Sequence, residues 1–214
     1  MAHPGQKDPF RVRAKEEGYP ARSVYKLKEI QDKFKLIRAG QRIVDLGCHP
    51  GSWLRFCSQT VGPEGQVLGM DLKNPTIPLS PNTFFLQADL ITVPDKTVKE
   101  WAGQVELVLS DLSPKTSGIK WLDHRRSLDL NLRALELVFL ILKKEGAVVL
   151  KIFDGEGTKD FLKKMNGRFK QVQVHKPRSS RRESSEIYLV GQGFKKNRVR
   201  GFQDSIPPKA GLDP

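Results

Sequence analysis

A chain of 214 residues with 38% hydrophobic content and a net charge of +13 is long enough to bury one core and too apolar to stay unfolded. No run approaches the roughly 20 apolar residues of a membrane span, and the opening MAHPGQKDPF lacks the apolar stretch of a secretory signal. A soluble, cytoplasmic, monomeric protein is expected, with one domain over 1–200, a basic arm and helix over 1–40, and a mobile tail over 201–214.

Two cysteines, Cys48 and Cys57, make no disulfide framework, and the four histidines lack metal-ligand spacing; no metal is expected. The positive charge is segregated. Residues 1–42 hold 11 Lys/Arg against 5 Asp/Glu, a net of +6, and residues 159–200 hold 13 against 3, a net of +10. The stretch between, 43–158, holds 12 against 14, a net of −2. Two basic flanks around a near-neutral centre suit a polyanion laid across one face of the fold. Neither flank carries the strong apolar stripe of a membrane-surface helix.

In chain order, residues 22–38 place Val24, Leu27, Ile30 and Phe34 on one helical face. Short apolar runs at 42–47, 65–72, 83–90, 105–112 and 146–153 read as strands buried on both faces. Helices fit between several of them, most clearly at 123–143, where Leu128, Leu132, Leu135, Val138 and Leu142 recur at three- and four-residue spacing. A short helix over 158–167 precedes strands at 169–176 and 185–194, joined only by PRSSRRES and therefore expected to pair antiparallel. The sum is an α/β doubly wound sheet ending in an antiparallel hairpin.

Ligands of such sheets bind beyond the carboxyl ends of the strands. There lies DLGCHPGSW (45–53). Gly47 and Gly51 let backbone approach a ligand, and a helix starting near Ser52 points N–H groups at it. Asp45, Asp71, Asp89 and Asp111 are each expected at a strand end, on one rim. Asp71 suits the hydroxyls of a ribose, and Asp89 an adenine amino group. An acidic rim repels a triphosphate, and neither GxxxxGK[ST] nor GxGxxG is present. A positively charged nucleoside fits better, and S-adenosylmethionine is one.

The ordered set RSVYKL (22–27), DLGCHPGSW (45–53), SDLSP (110–114), KIFDGEG (151–157) and SSEIYLVGQGF (184–194) resembles the FtsJ-type ribosomal RNA 2′-O-methyltransferases. The likeness runs from about residue 8 to residue 194. It implies a Rossmann-like fold with a seven-stranded, mostly parallel sheet and a C-terminal antiparallel strand. It also implies S-adenosylmethionine as methyl donor and a catalytic set of Lys26, Asp111, Lys151 and Glu186. Gly51, Trp53, Asp71, Asp89 and Asp111 fall where members hold the cofactor. Members commonly read AAPGGW where this chain reads CHPGSW.

In-line methyl transfer to a ribose hydroxyl needs alignment and loss of one proton. An unperturbed lysine titrates near 10.4, so Lys151 is either a neutral proton acceptor or a charged stabiliser of the developing alkoxide. Asp111 and Glu186 would hold its geometry, and Lys26 would steer the ribose or an adjacent phosphate. Phosphate contacts are expected from Lys7, Arg11, Arg13, Lys15, Arg22 and Lys28 on one flank and from Lys176, Arg178, Arg181 and Arg182 on the other. Phe10, Tyr19 and Tyr25 are candidate base-stacking surfaces, with packing the duller role of Tyr25. The resemblance implies RNA as partner and a uridine of large-subunit (23S) ribosomal RNA as target. The alternatives are the tRNA anticodon loop, or an inactive RNA-binding assembly factor of the same fold.

Overall fold

The computed structural model describes residues 8–114, 117–180 and 184–196. Helices α1 (Pro9–Glu16) and α2 (Val24–Phe34) precede strand β1 (Arg42–Leu46). Then follow α3 (Ser52–Val61), β2 (Gln66–Asp71), β3 (Thr83–Gln87), α4 (Asp95–Ala102) and β4 (Val105–Ser110). The chain continues through α5 (Lys120–Ile141), β5 (Leu142–Phe153), α6 (Thr158–Arg168), β6 (Phe169–His175) and β7 (Glu186–Phe194). The seven strands form one sheet in the order β3-β2-β1-β4-β5-β7-β6. Strands β1 to β5 pair in parallel, and β7 runs antiparallel to both β5 and β6. The expected doubly wound sheet and closing hairpin are both present. The tail over 197–214 lies outside the described residues.

Local chemistry sets the helix ends. Asp8 caps α1 by accepting from Phe10 N at 3.1 Å, with Pro9 at the first helical position. Helix α2 stops where Lys35 turns left-handed at φ 53° and its N–H meets Gln31 O at 2.8 Å.

Alternation along the strands builds two cores. Ile43, Val67, Leu107, Leu109, Val149, Tyr188 and Val190 face Leu27 and Ile30 of α2 and Trp53 and Leu54 of α3. Val44, Leu68, Val108, Val148, Leu150 and Leu189 face Val98 of α4, Leu135 and Val138 of α5, and Phe161 of α6. Helices α2 and α5 therefore lie on opposite faces of one sheet. Cutting a fully buried leucine such as Leu109 to alanine would cost about 2–5 kcal/mol.

The strand order reverses between β1 and β4, and a crevice opens there. The two turns that bound it touch. A Cβ on Gly47 (φ +78°) would come within 2.7 Å of the Leu112 side chain and 3.1 Å of its Cα, so only glycine fits.

Candidate active site

Four distant segments converge beside this crevice. Lys151 lies in β5 opposite Tyr188 of β7, and Glu186 starts β7 two residues earlier. The period of two puts Lys151, Glu186 and Tyr188 on the α2–α3 face. Strand β5 runs two residues past Lys151, so this lysine is inside the strand rather than at its end. Asp111 directly follows β4, and Lys26 is in the first turn of α2.

The ion pairs are close. Lys26 Nζ donates to Glu186 Oε2 at 2.6 Å. Lys151 Nζ lies 3.1 Å from Asp111 Oδ1, donates to the Asp111 carbonyl at 2.9 Å, and lies 3.8 Å from Glu186 Oε1. Both amines are buried, at 8% and 5% exposure. Burial opposes ionisation of Glu186, but the hydrogen bond from Lys26 and the charges of Lys151 and Lys26 outweigh it and hold its carboxyl below the usual range.

Tyr188 belongs to this cluster and was missed from sequence, where an aromatic inside EIYLVG reads as core. Its hydroxyl donates to Asp111 Oδ1 at 2.8 Å. Burial, then Asp111 and Glu186, push its phenol well above the ordinary value, so it stays a neutral donor. Its place on the same strand face as Glu186 was the signal that could have found it.

The aspartate rim needs correction. Asp71 ends β2, where its oxygens accept from His49 N at 2.9 Å and Lys73 N at 3.0 Å. Asp89 sits two residues past β3 and accepts from Ile91 N at 2.9 Å, a turn contact. Asp45, expected at a strand end, is fully buried inside β1, and both its carboxyl oxygens lack a hydrogen-bond partner. Burial, then the charges of Asp111 and Asp71, raise its carboxyl well above the usual range. A buried, unpartnered acid pressed by two neighbouring carboxylates suits a cationic ligand, which is what a sulfonium nucleoside offers.

The turn that carries the departure CHPGSW is held from two sides. His49 Nδ1 lies 3.0 Å from Asn74 O, and Thr76 donates to Pro50 O through its N–H at 3.0 Å. Gly51, at φ +112°, precedes α3, which no side chain caps. Ser52 accepts from Ala21 N at 2.8 Å and donates to Ala21 O at 3.1 Å, tying the start of α3 to the segment that enters α2. Trp53, expected against the cofactor, is 3% exposed; its N–H donates to Ser23 O at 2.9 Å and its ring lies 6.1 Å from that of Tyr188. It packs beneath the cluster rather than on the rim.

The basic flank is less free than its composition implies. Arg13 pairs with Glu17 at 2.7 Å, Lys28 with Glu17 at 2.6 Å, and Arg22 with Asp8. Arg11 is exposed, as is Arg178, whose backbone N–H donates to Glu29 at 2.7 Å. Lys7, Arg181 and Arg182 lie outside the described residues. Tyr19 and Tyr25 are buried and Phe10 is half-buried against Tyr25, so these rings pack together instead of offering a stacking face.

The FtsJ-like methyltransferase family profile matches residues 19–194. The chain belongs to that family. It is 43% identical over 185 residues to Ribosomal RNA large subunit methyltransferase E of Desulfatibacillum aliphaticivorans, covering 86% of this chain and 89% of the relative. The protein of the same name from Lawsonia intracellularis is 42% identical over 194 residues, covering 89% and 96%. A solved structure described as a ribosomal RNA methyltransferase from Plasmodium falciparum superposes with a TM-score of 0.71 at 29% identity, covering 82% of this chain and 98% of that one. As an FtsJ-like protein the chain is a methyltransferase, and the family implies S-adenosylmethionine as its methyl donor. Among the described residues no group of His, Cys, Asp or Glu is arranged to hold a metal ion, and no helix is long and apolar enough to cross a membrane.

Proposed function

We propose that this FtsJ-like protein methylates the 2′-hydroxyl of a ribose, most specifically of a uridine, in large-subunit ribosomal RNA. The relatives' names support the substrate, and the carrying observation is Lys151 held between Asp111 and Glu186, with Lys26 on the far oxygen of Glu186.

S-adenosylmethionine bound in the crevice supplies an electrophilic methyl carbon. Asp71 is the residue proposed to hold its ribose, Asp89 its adenine, Asp111 and the turn from Gly47 to Gly51 the remainder, with Asp45 as the buried acid that favours positive charge. The protein's own part is alignment and charge. Asp111 and Glu186 fix the Lys151 amine, and Tyr188 fixes Asp111. With the Asp111 carbonyl and carboxylate taking two of its N–H groups and the Glu186 carboxylate 3.8 Å away, Lys151 acts as a cation: its third N–H holds the ribose 2′-oxygen and stabilises negative charge there as the hydroxyl proton passes to solvent water. Lys26 neutralises Glu186 and faces the incoming backbone. Arg11 and Arg178, with Lys7, Arg181 and Arg182, are the proposed phosphate contacts, and Arg13, Arg22 and Lys28 join them only by leaving their acid partners.

The test is transfer of a labelled methyl group from S-adenosylmethionine to ribosomal RNA of a strain lacking the protein, with the labelled atom mapped. Label on a ribose oxygen of the large-subunit RNA, lost in Lys151→Ala while both ligands still bind, supports the reading. Label on a base, or on tRNA alone, overturns it.

A further inference from the structure

The rings near the basic arm are packed away, but another is not. Trp121, in the first turn of α5, is 71% exposed, and Ile119 just before it is 50% exposed. Trp53 is buried and Trp101 half-buried. The segment that presents Trp121 is held in place. Asp123 accepts from Ser117 N at 2.6 Å, from the Ser117 hydroxyl at 2.8 Å and from Gly118 N at 3.1 Å.

Its position relates it to the catalytic cluster. The loop pinned by Asp123 is the one that leaves β4 through Asp111. His124 contacts the carbonyl of Glu156, in the loop that leaves β5 after Lys151. A Cβ on Gly155 in that loop would lie 2.9 Å from the His124 ring. The start of α5 therefore stands at the same edge of the sheet as Asp111 and Lys151. It stands on the opposite face from α2 and its basic neighbours. Arg125, one turn after Trp121 and so on the same side of the helix, is exposed and has no ion pair among the described residues.

We propose that Trp121 and Arg125 form a second contact for the substrate RNA, the indole stacking on an unpaired base beside the target ribose and Arg125 meeting a phosphate. This rests on the reading of the site as an RNA ribose methyltransferase. An exposed indole next to an exposed guanidinium, on a chain of net charge +13, matches single-stranded RNA, whose splayed bases offer π-faces and whose backbone offers charge. Substrate crossing the cluster is then gripped from both faces of the sheet: by α1 and α2 on one side, and by the start of α5 on the other.

Because Trp53 is buried and Trp101 half-buried, the exposed Trp121 dominates acrylamide quenching of the native emission, and Trp121→Phe gives the background from the other two. An unstructured uridine-rich RNA oligonucleotide should protect that emission. Trp121→Ala should weaken RNA binding about ten-fold or more and raise KM for ribosomal RNA, with the dissociation constant for S-adenosylmethionine and the melting temperature unchanged. Trp121→Phe should recover most of the loss, and Arg125→Ala should lower the salt slope of RNA binding by about one. If wild type methylates ribosomal RNA while Trp121→Ala binds it normally and the oligonucleotide gives no protection, the contact is overturned and the enzymatic reading stands. If Trp121→Ala impairs methylation of assembled subunits but not binding to naked RNA, the surface docks a ribosomal protein and RNA stacking is wrong. Absence of ribose methylation by the wild type would overturn the enzymatic reading, and this contact with it.

Discussion

The Tyr188 hydroxyl and the Lys151 amine meet at one atom: Asp111 Oδ1 receives the first at 2.8 Å and the second at 3.1 Å. Each fixes the acid that fixes the other. Tyr188→Phe keeps the ring contact with Trp53 but removes one donor from a charged acceptor, a loss of about 1.5–3 kcal/mol. The expected outcome is a fall in kcat of about ten-fold or more with KM for RNA unchanged, checked by steady-state methyl transfer at saturating cofactor.

The charged role proposed for Lys151 can be separated from a neutral-base role by kinetics. A charged stabiliser gives a rate that is flat between about pH 6 and 9, and Lys151→Arg retains some activity while Lys151→Ala loses about 100- to 1,000-fold. A neutral base gives a logarithmic rate that climbs with unit slope toward alkaline pH and an arginine variant that is dead. Single-turnover rates across that range separate the two.

Glu186 is held below its ordinary range, so its contribution to stability is fully present above the unfolded value of about 4.3 and is lost as pH falls through the lowered folded value. Glu186→Gln should therefore be less stable than wild type at neutral pH by about 1–3 kcal/mol, with the gap closing in acid. Urea unfolding at neutral pH and below pH 4 measures it.

Asp45 has the opposite sign. Its folded carboxyl titrates well above the unfolded value of about 3.9, so the folded protein keeps a proton that the unfolded chain gives up. Stability falls as pH rises across that window. Asp45→Asn should melt about 2–4 °C higher than wild type at alkaline pH, with no difference near pH 4. A cation in the crevice favours the ionised acid, so wild type should release a proton on binding S-adenosylmethionine and the asparagine variant should not. Calorimetry in buffers of different ionisation enthalpy detects it.

Arg11 is exposed, whereas Arg13 and Lys28 share Glu17. Arg11→Glu should reduce the salt dependence of RNA affinity by at least one unit of slope. Arg13→Ala should change it less, since that guanidinium must first leave its carboxylate. Filter binding across a salt series distinguishes them.

The strands were legible because runs such as AVVL (147–150) are short and apolar on both faces, as strands covered on both sides require. Lys26, Asp111, Lys151 and Glu186 were named from the resemblance, and the fold brings them together. What sequence could not give was orientation. DLG reads equally well with its acid at a strand end or one residue inside, and that single step hides Asp45 from the rim. Charge counting saw Arg13, Arg22 and Lys28 but not the folded proximity of Glu17 and Asp8. Aromatic identity says nothing of exposure, so the packed Tyr19 was named as a stacking surface and the exposed Trp121 was not.

Ser52 grips both backbone groups of Ala21, and Lys26 follows in the first turn of the helix that this segment enters. The turn from Gly47 to Gly51 and the Lys26 amine are thus linked through the two hydrogen bonds between Ser52 and Ala21. A glycine at position 52, as in the AAPGGW pattern, would remove both hydrogen bonds and loosen the start of α3 from the segment that leads to Lys26.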